Sequence, residues 1–398
     1  MKVLFVFNGD FNEGNAANAR LKSYGKGLKE IDVDSEFLVL RPSEFGDSGI
    51  NSREQGQVEG LKFKYLSGRT DRAKGKARLV ELLKIWFSFF KQLNLNSADN
   101  TVLYFYSSVF ITHFPILALS KLLGYKSIIE LTELHSLKVE ATPLKTLFAK
   151  FNNGLIEWTL PWWFNQGLFT SRRLRLFYRR RFKHFSSEII PVVFDNERFQ
   201  GLENIASKRT NRVGYLGSFG PKDNVEGIIK AFGIAIKNAI EPIQLRLIGY
   251  QSSGFNLDTL LDENNLKGKA DLIEATGQVA SKDIPKLLAE CDLLIMNRNK
   301  ELFSNYGFPI KLAEYLATGR PCICTNVSDI SHYFKSGVNC EIIEPESPEI
   351  LSEKIIERYA QYNKWSEIGL NGQERGHELF QYKRHVLGIK GGSCNLLT

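Results

Sequence analysis

Short apolar runs alternate with helix-like patterns along the chain, and no other feature restricts the possible fold so strongly. In the first half, Lys2–Phe7, Glu36–Leu40, Thr101–Tyr106, Ser127–Leu131 and Gly167–Phe169 read as strands. In the second half, Arg212–Tyr215, Gln244–Ile248, Leu272–Glu274, Leu293–Met296 and Pro321–Cys324 do the same. Between them, stretches such as Val225–Lys237 and Asp283–Glu290 place apolar residues at helical spacing. Strands that alternate with helices imply an α/β class of doubly wound parallel sheets, covered on both faces. The 398 residues exceed what one hydrophobic core usually supports. A polar connector over 190–210 marks the division. We expect one α/β domain over 1–190, a second over 191–370, and a C-terminal helix with a tail over 371–398 that packs back on the first. Two such domains facing each other would leave a cleft at the carboxyl ends of their strands, where sheets of this kind take ligands.

Composition narrows the class of partner. Apolar residues at 43% and charged residues at 24% fit a folded protein. The net charge of +8 is uneven: residues 1–190 hold 28 Lys and Arg against 18 Asp and Glu, and the remainder 24 against 26. A basic first half beside a nearly neutral second half calls for an anionic partner. Five cysteines form no close-set framework, which suits a reducing cytoplasm. Cys322 and Cys324 are expected to face opposite sides of their strand. The opening MKVLFVFNGD is too short for the core of a signal peptide. Val102–Leu119 contains Ser107, Ser108, His113 and Pro115, so a strand followed by a buried helix suits it better than a membrane span.

The second half carries a constellation suited to phosphate. VGYLGSFGPKDN (213–224) is a strand ending at Gly217, then a loop with Ser218 and Lys222, then a helix start. RLIGY and ATGQV are further strand-to-glycine turns, and DLLIMNRN delivers a strand end with Arg298. NYGFPIKLAEYLATGRPCICTN (305–326) then opens a helix on a proline. Pro309 suits a first turn, where its missing N–H costs nothing. The amides of Ile310, Lys311 and Leu312 would leave the helix start with the positive dipole end behind them, a setting for a diphosphate. Glu314 lies too far in to cap those amides. It can instead accept hydrogen bonds from a pair of sugar hydroxyls.

From about Arg212 to Pro348, GYLGSFGPKDNVEGIIKAF, GQVASKDIPKLLAECDLLIM and NYGFPIKLAEYLATGRPCICTNVSDI resemble, in order and spacing, the donor half of a family 4 glycosyltransferase of GT-B fold. NGDFNEGNAANARL (8–21), SIIELTELH (127–135) and PVVFDNERF (191–199) are looser matches in the first half. The resemblance implies two Rossmann-like domains and a retaining hexosyltransferase that uses a nucleotide-diphosphate sugar without a bound metal. It implies that Glu314 holds the nucleotide ribose, and that Lys222 and the Ile310–Leu312 amides hold the diphosphate. Residues near Val279 would meet the base, and Gly14 and Asn15 would close on the diphosphate from the first domain. Tyr306 stands where the family has the first of two acids, beside the donor sugar. Ser218 stands where it commonly has an arginine, shifting charge compensation to Lys222, Lys311 and Arg298.

Glu133 and His135, in ELTELHS, are the candidates on the acceptor side. RAKGKARLVELLKIWFSFFKQLN (72–94) reads as a helix with cations on one side and Leu82, Leu83, Trp86, Phe87, Phe89 and Phe90 on the other. GLIEWTLPWWFNQGLFTSRRLRLFYRRRFK (154–183) interleaves tryptophans with Arg172, Arg173, Arg175 and Arg179–Arg181. Cations among aromatics suit an anionic bilayer, as a lipid-linked glycan acceptor would require. The expectation is therefore a cytoplasmic enzyme, peripheral at the inner face of the membrane, that builds a bacterial surface polysaccharide. No nucleic-acid motif accompanies these cations. A dinucleotide-dependent oxidoreductase is disfavoured, because NGDFNEGN lacks the G-x-G-x-x-G pattern. The alternatives are a sugar-nucleotide epimerase or phosphorylase of the same fold, or a non-catalytic subunit that binds sugar nucleotide or membrane.

Overall fold

The computed structural model describes residues 1–11, 16–43, 52–93, 95–107, 109–134, 142–206, 208–249, 255–300 and 305–391. The chain forms two units: Met1–Val193 together with the chain from Tyr382 onward, and Phe194–Gln381. Residues 371–381 therefore stay with the second unit, at the end of the helix Tyr362–Phe380 and its cap Gln381, and the segment that returns to the first begins at Tyr382.

The first sheet contains β1 (Lys2–Phe7), β2 (Asp34–Val39), β3 (Gln55–Val58), β4 (Leu61–Tyr65), β5 (Thr101–Tyr106), β6 (Lys126–Leu131), β7 (Gln166–Phe169) and β8 (Ser186–Ile189). Their order is β3-β4-β2-β1-β5-β6-β7-β8. Every pairing is parallel except the edge hairpin β3–β4, which the alternation of strands and helices does not announce. The second sheet contains β9 (Arg212–Leu216), β10 (Gln244–Ile248), β11 (Ile273–Ala275), β12 (Leu293–Met296), β13 (Cys322–Thr325) and β14 (Glu341–Ile343). It is parallel, in the order β11-β10-β9-β12-β13-β14. In both, the order reverses direction beside the first strand of the unit, the topology of a Rossmann-like domain.

Continuous apolar strands form each core because helices cover both faces. In the first unit Phe5 stacks on Phe37 at 4.7 Å and meets Tyr104 at 4.9 Å. The buried guanidinium of Arg20, on the helix Ala16–Glu30, donates to Glu130 at 2.6 Å and to the Ile190 carbonyl at 2.8 Å. The returning helix Tyr382–Gly391 adds Tyr382, Val386 and Ile389 to this core. In the second unit the helices Val225–Asn238 and Pro348–Ala360 pack together over β9, β10 and β12.

Two sequence expectations are corrected. Cys322 and Cys324 share a face, both within reach of Cys340, because residues two apart on a strand point the same way. The helix Ala77–Gln92 has no single apolar side: Glu81, Ile85 and Phe89 are buried, whereas Leu83 and Phe87 face solvent. Val102–Leu119 does divide into β5 and the helix Phe110–Leu122. Among the described residues, no helix is long and apolar enough to cross a membrane.

Candidate donor site in the second domain

Two glycines bring the backbone of the second sheet close together. Gly217, at the end of β9, donates its amide to the Ile248 carbonyl at 2.9 Å. A Cβ there would collide with the Tyr215 hydroxyl and the Lys311 ammonium. Gly249 sits at φ +125°, and a Cβ on it would land on the Gly217 carbonyl, a backbone atom that cannot swing aside. After Ser218 the chain makes a tight turn over Pro221–Asp223, which carries the half-exposed Lys222. Asn224 follows in the left-handed region and caps the helix Val225–Asn238, accepting from the Gly227 amide at 3.2 Å.

Asp223 organises the charges. It accepts from the Tyr215 hydroxyl at 2.9 Å, pairs with the Lys311 ammonium, and lies 3.9 Å from Nε of Arg298. Burial alone would raise its carboxyl, but Lys311 and Arg298 outweigh that and hold it below the usual carboxylate range. Burial holds the Lys311 ammonium below its ordinary value despite Asp223. The ammonium also lies 5.0 Å from the centre of the Tyr215 ring.

The helix Ile310–Ala317 begins after Pro309, which takes an extended backbone at the cap position, one residue earlier than a first-turn proline. Its carbonyl accepts from the Leu312 amide at 3.2 Å, so the first turn tightens and occupies one of the three amides read as open. Ile310 and Lys311 keep N–H groups that have no acceptor ahead of them in the helix. Tyr315 fixes the direction of this helix: its hydroxyl accepts from the Leu216 amide at 2.8 Å and donates to the Ile295 carbonyl at 3.2 Å.

Glu314 is half-buried, and burial pushes its carboxyl up against the opposing charges of Arg198 and Lys311. Its nearest cation is Arg198, at 3.8 Å. Arg198 also donates to the Ser281 carbonyl at 2.8 Å and hydroxyl at 3.0 Å, which ties Glu314 to the segment carrying Val279. Asp223, Tyr215, Tyr315 and Arg198 were missed in the sequence. Only the position of Asp223, directly after Lys222, offers a local clue.

Tyr306 is half-buried three residues before Pro309, and Glu133 is half-buried just beyond β6 in the first unit. Gly14, Asn15 and His135 lie outside the described residues. One Asp-x-Asp pattern, Asp32–Asp34, occupies the turn into the amino end of β2, away from the carboxyl ends where such sheets bind ligands. Among the described residues, no group of three His, Cys, Asp or Glu side chains could hold a metal ion.

Residues 197–375 match the family of glycosyl transferases group 1. The chain is 25% identical over 176 residues to an uncharacterized glycosyltransferase of Methanocaldococcus jannaschii, covering 44% of this chain and 46% of that protein. It is 24% identical over 154 residues to the O-antigen chain mannosyltransferase B of Escherichia coli, covering 39% and 38%. The chain thus spans less than half the length of these relatives. Sucrose-phosphate synthase from Thermosynechococcus elongatus superimposes with a TM-score of 0.75 at 14% identity, covering 98% of both chains. Anabaena HepE in complex with UDP-glucose superimposes with a TM-score of 0.71 at 14% identity, covering 99% of this chain and all of that one. The fold is GT-B.

Proposed function

We propose that the protein is a glycosyltransferase that takes a sugar from a nucleotide diphosphate and adds it to a growing surface glycan. The match of residues 197–375 to group 1 glycosyl transferases carries this reading, because it spans the glycine turns, Lys222, Arg298 and the helix start. The diphosphate lies on the Ile310 and Lys311 amides, with Lys311, Arg298 and Lys222 outweighing the single charge of Asp223. These cations and the helix start stabilise the departing diphosphate without a resident metal. Glu314 accepts from the ribose hydroxyls and Val279 lies by the base. Tyr306, in place of an acid, adjoins the sugar. The configuration at the transferred carbon is retained, and the leaving phosphate takes the acceptor's proton. The uridine diphosphate sugar held by the HepE neighbour makes that class the first donor to try.

The acceptor is a lipid-linked glycan, reached from the inner face of the membrane. The first unit exposes Phe87, Leu147, Phe148 and Trp162, and Arg181 of the cationic helix Arg172–Arg181 lies 5.8 Å from the centre of the exposed Trp158 ring, features suited to an anionic bilayer.

The test is nucleotide affinity. Glu314→Ala should weaken nucleotide diphosphate binding about ten- to a hundredfold by isothermal titration, since hydrogen bonds to a charged group contribute about 1.5–3 kcal/mol. The melting temperature should stay close to that of the parent. Unchanged affinity removes Glu314 from the ribose site.

A further inference from the structure

The loop after β9 holds a backbone conformation that its sequence does not favour. Phe219 lies at φ +50°, in the left-handed region. Among the described residues, the others found there are glycines or carry Asp, Asn, Ser or Glu side chains, and Phe219 is the one with a bulky apolar group. Asn and Asp tolerate that region through local hydrogen bonds, whereas a bulky side chain there marks strain held in place by its surroundings.

Those surroundings are aromatic. The Phe219 ring is 4% exposed and lies 5.6 Å from the Tyr215 ring and 5.0 Å from that of Phe255. Ser218, Gly220 and Lys222 stay partly exposed, so the loop turns one side chain inward and leaves its neighbours at the surface. The strained backbone then meets the charged site. The Phe219 amide donates to the Tyr215 hydroxyl, which donates to Asp223 at 2.9 Å and accepts from the Lys311 ammonium at 3.4 Å. That hydroxyl thus uses its one hydrogen and both lone pairs. A core position needs no left-handed backbone to bury a phenylalanine, so packing by itself does not account for the turn. Its location, between Gly217 and Lys222, puts the strain where the cations are placed.

We propose that Phe219 is a positioning residue for the donor diphosphate. Its buried ring holds the left-handed turn that fixes the Tyr215 hydroxyl, and through it Asp223 and Lys311, while Ser218 and Lys222 are kept at the surface. The inference rests on the donor reading of this site and adds that a side chain with no contact to the ligand sets its affinity. A diphosphate, which spans the loop and the helix start, feels the ring; a monophosphate, which needs fewer of these cations, feels it less.

The full chain is titrated calorimetrically with UDP, GDP and ADP, and with the monophosphate of whichever binds. Phe219→Ala should weaken the diphosphate about tenfold, the loss expected of one misplaced charged contact, and leave the monophosphate nearly unchanged. Phe219→Gly, which takes the left-handed turn freely, should melt above Phe219→Ala yet bind the diphosphate as weakly. Phe219→Leu, which keeps an apolar side chain in the pocket, should restore part of the affinity. If Phe219→Ala fails to fold, Phe255→Ala, which removes the neighbouring ring, repeats the test. Equal losses for diphosphate and monophosphate, or unchanged affinities in the folded variant, overturn the positioning role and leave the donor reading standing. Full affinity in Phe219→Gly does the same, since the ring would then not be needed. A parent that binds none of the three diphosphates removes the donor reading itself, and this inference with it.

Discussion

Asp223 and Glu314 sit on the same group of elements, yet their surroundings push their titration in opposite directions. The Asp223 carboxyl is held down by Lys311 and Arg298, so it stabilises the fold above its unfolded pKa, and this contribution disappears as the pH falls through its folded value. The Glu314 carboxyl is pushed up by burial, so its ionisation weakens the fold as the pH rises through its folded value. Asp223→Asn, which leaves Lys311 without its partner, should therefore cost about 2–3 kcal/mol near neutral pH. That deficit should shrink as the medium is acidified below the ordinary carboxylate range. Glu314→Gln should show the reverse sign, melting above the parent by a margin that widens from acid to neutral pH. Melting curves across pH check both. Glu314 and Lys311 were legible as candidates because they lie in one short stretch beside a proline. Their partners were not, since Asp223 precedes Lys311 by 88 positions and Arg198 precedes Glu314 by more than a hundred, separations that only the folded chain closes.

The strands with continuous apolar runs could be read from the sequence almost to the residue, as with Lys2–Phe7, Thr101–Tyr106, Gln244–Ile248 and Leu293–Met296. Those missed were β3, β4, β8 and β14, which are short, polar or at a sheet edge and so lack the fully buried pattern. The helix Ala77–Gln92 misled because its apolar residues serve two faces. The return of the chain at Tyr382 matters most for stability. Tyr382 donates to Glu30 at 2.7 Å, and Val386 and Ile389 are buried against the helix Ala16–Glu30 and its sheet. Ending the chain after Gln381 should uncover that core and lower the melting temperature of the first unit by several degrees or more. Hydrogen exchange should show protection lost over Ala16–Glu30 and retained over Val225–Asn238. Equal protection in both helices would mean that the returning segment contributes little.

For the molecule as a whole, the uneven charge is the feature visible in composition that no single element explains. The first 190 residues carry the basic excess, and among the described residues the exposed phenylalanines and tryptophans lie in that same unit. Reversing Arg179–Arg181 to glutamate should reduce sedimentation with anionic vesicles, and the parent's association should fall as salt rises. Sedimentation indifferent to both changes would remove the bilayer as a partner. The most direct test of the donor site is a crystal structure of the full chain with a nucleotide diphosphate. Phosphate oxygens should lie within hydrogen-bond distance of the Ile310 and Lys311 amides, with the ribose on Glu314. A nucleotide bound elsewhere, with those amides turned to other partners, would contradict it.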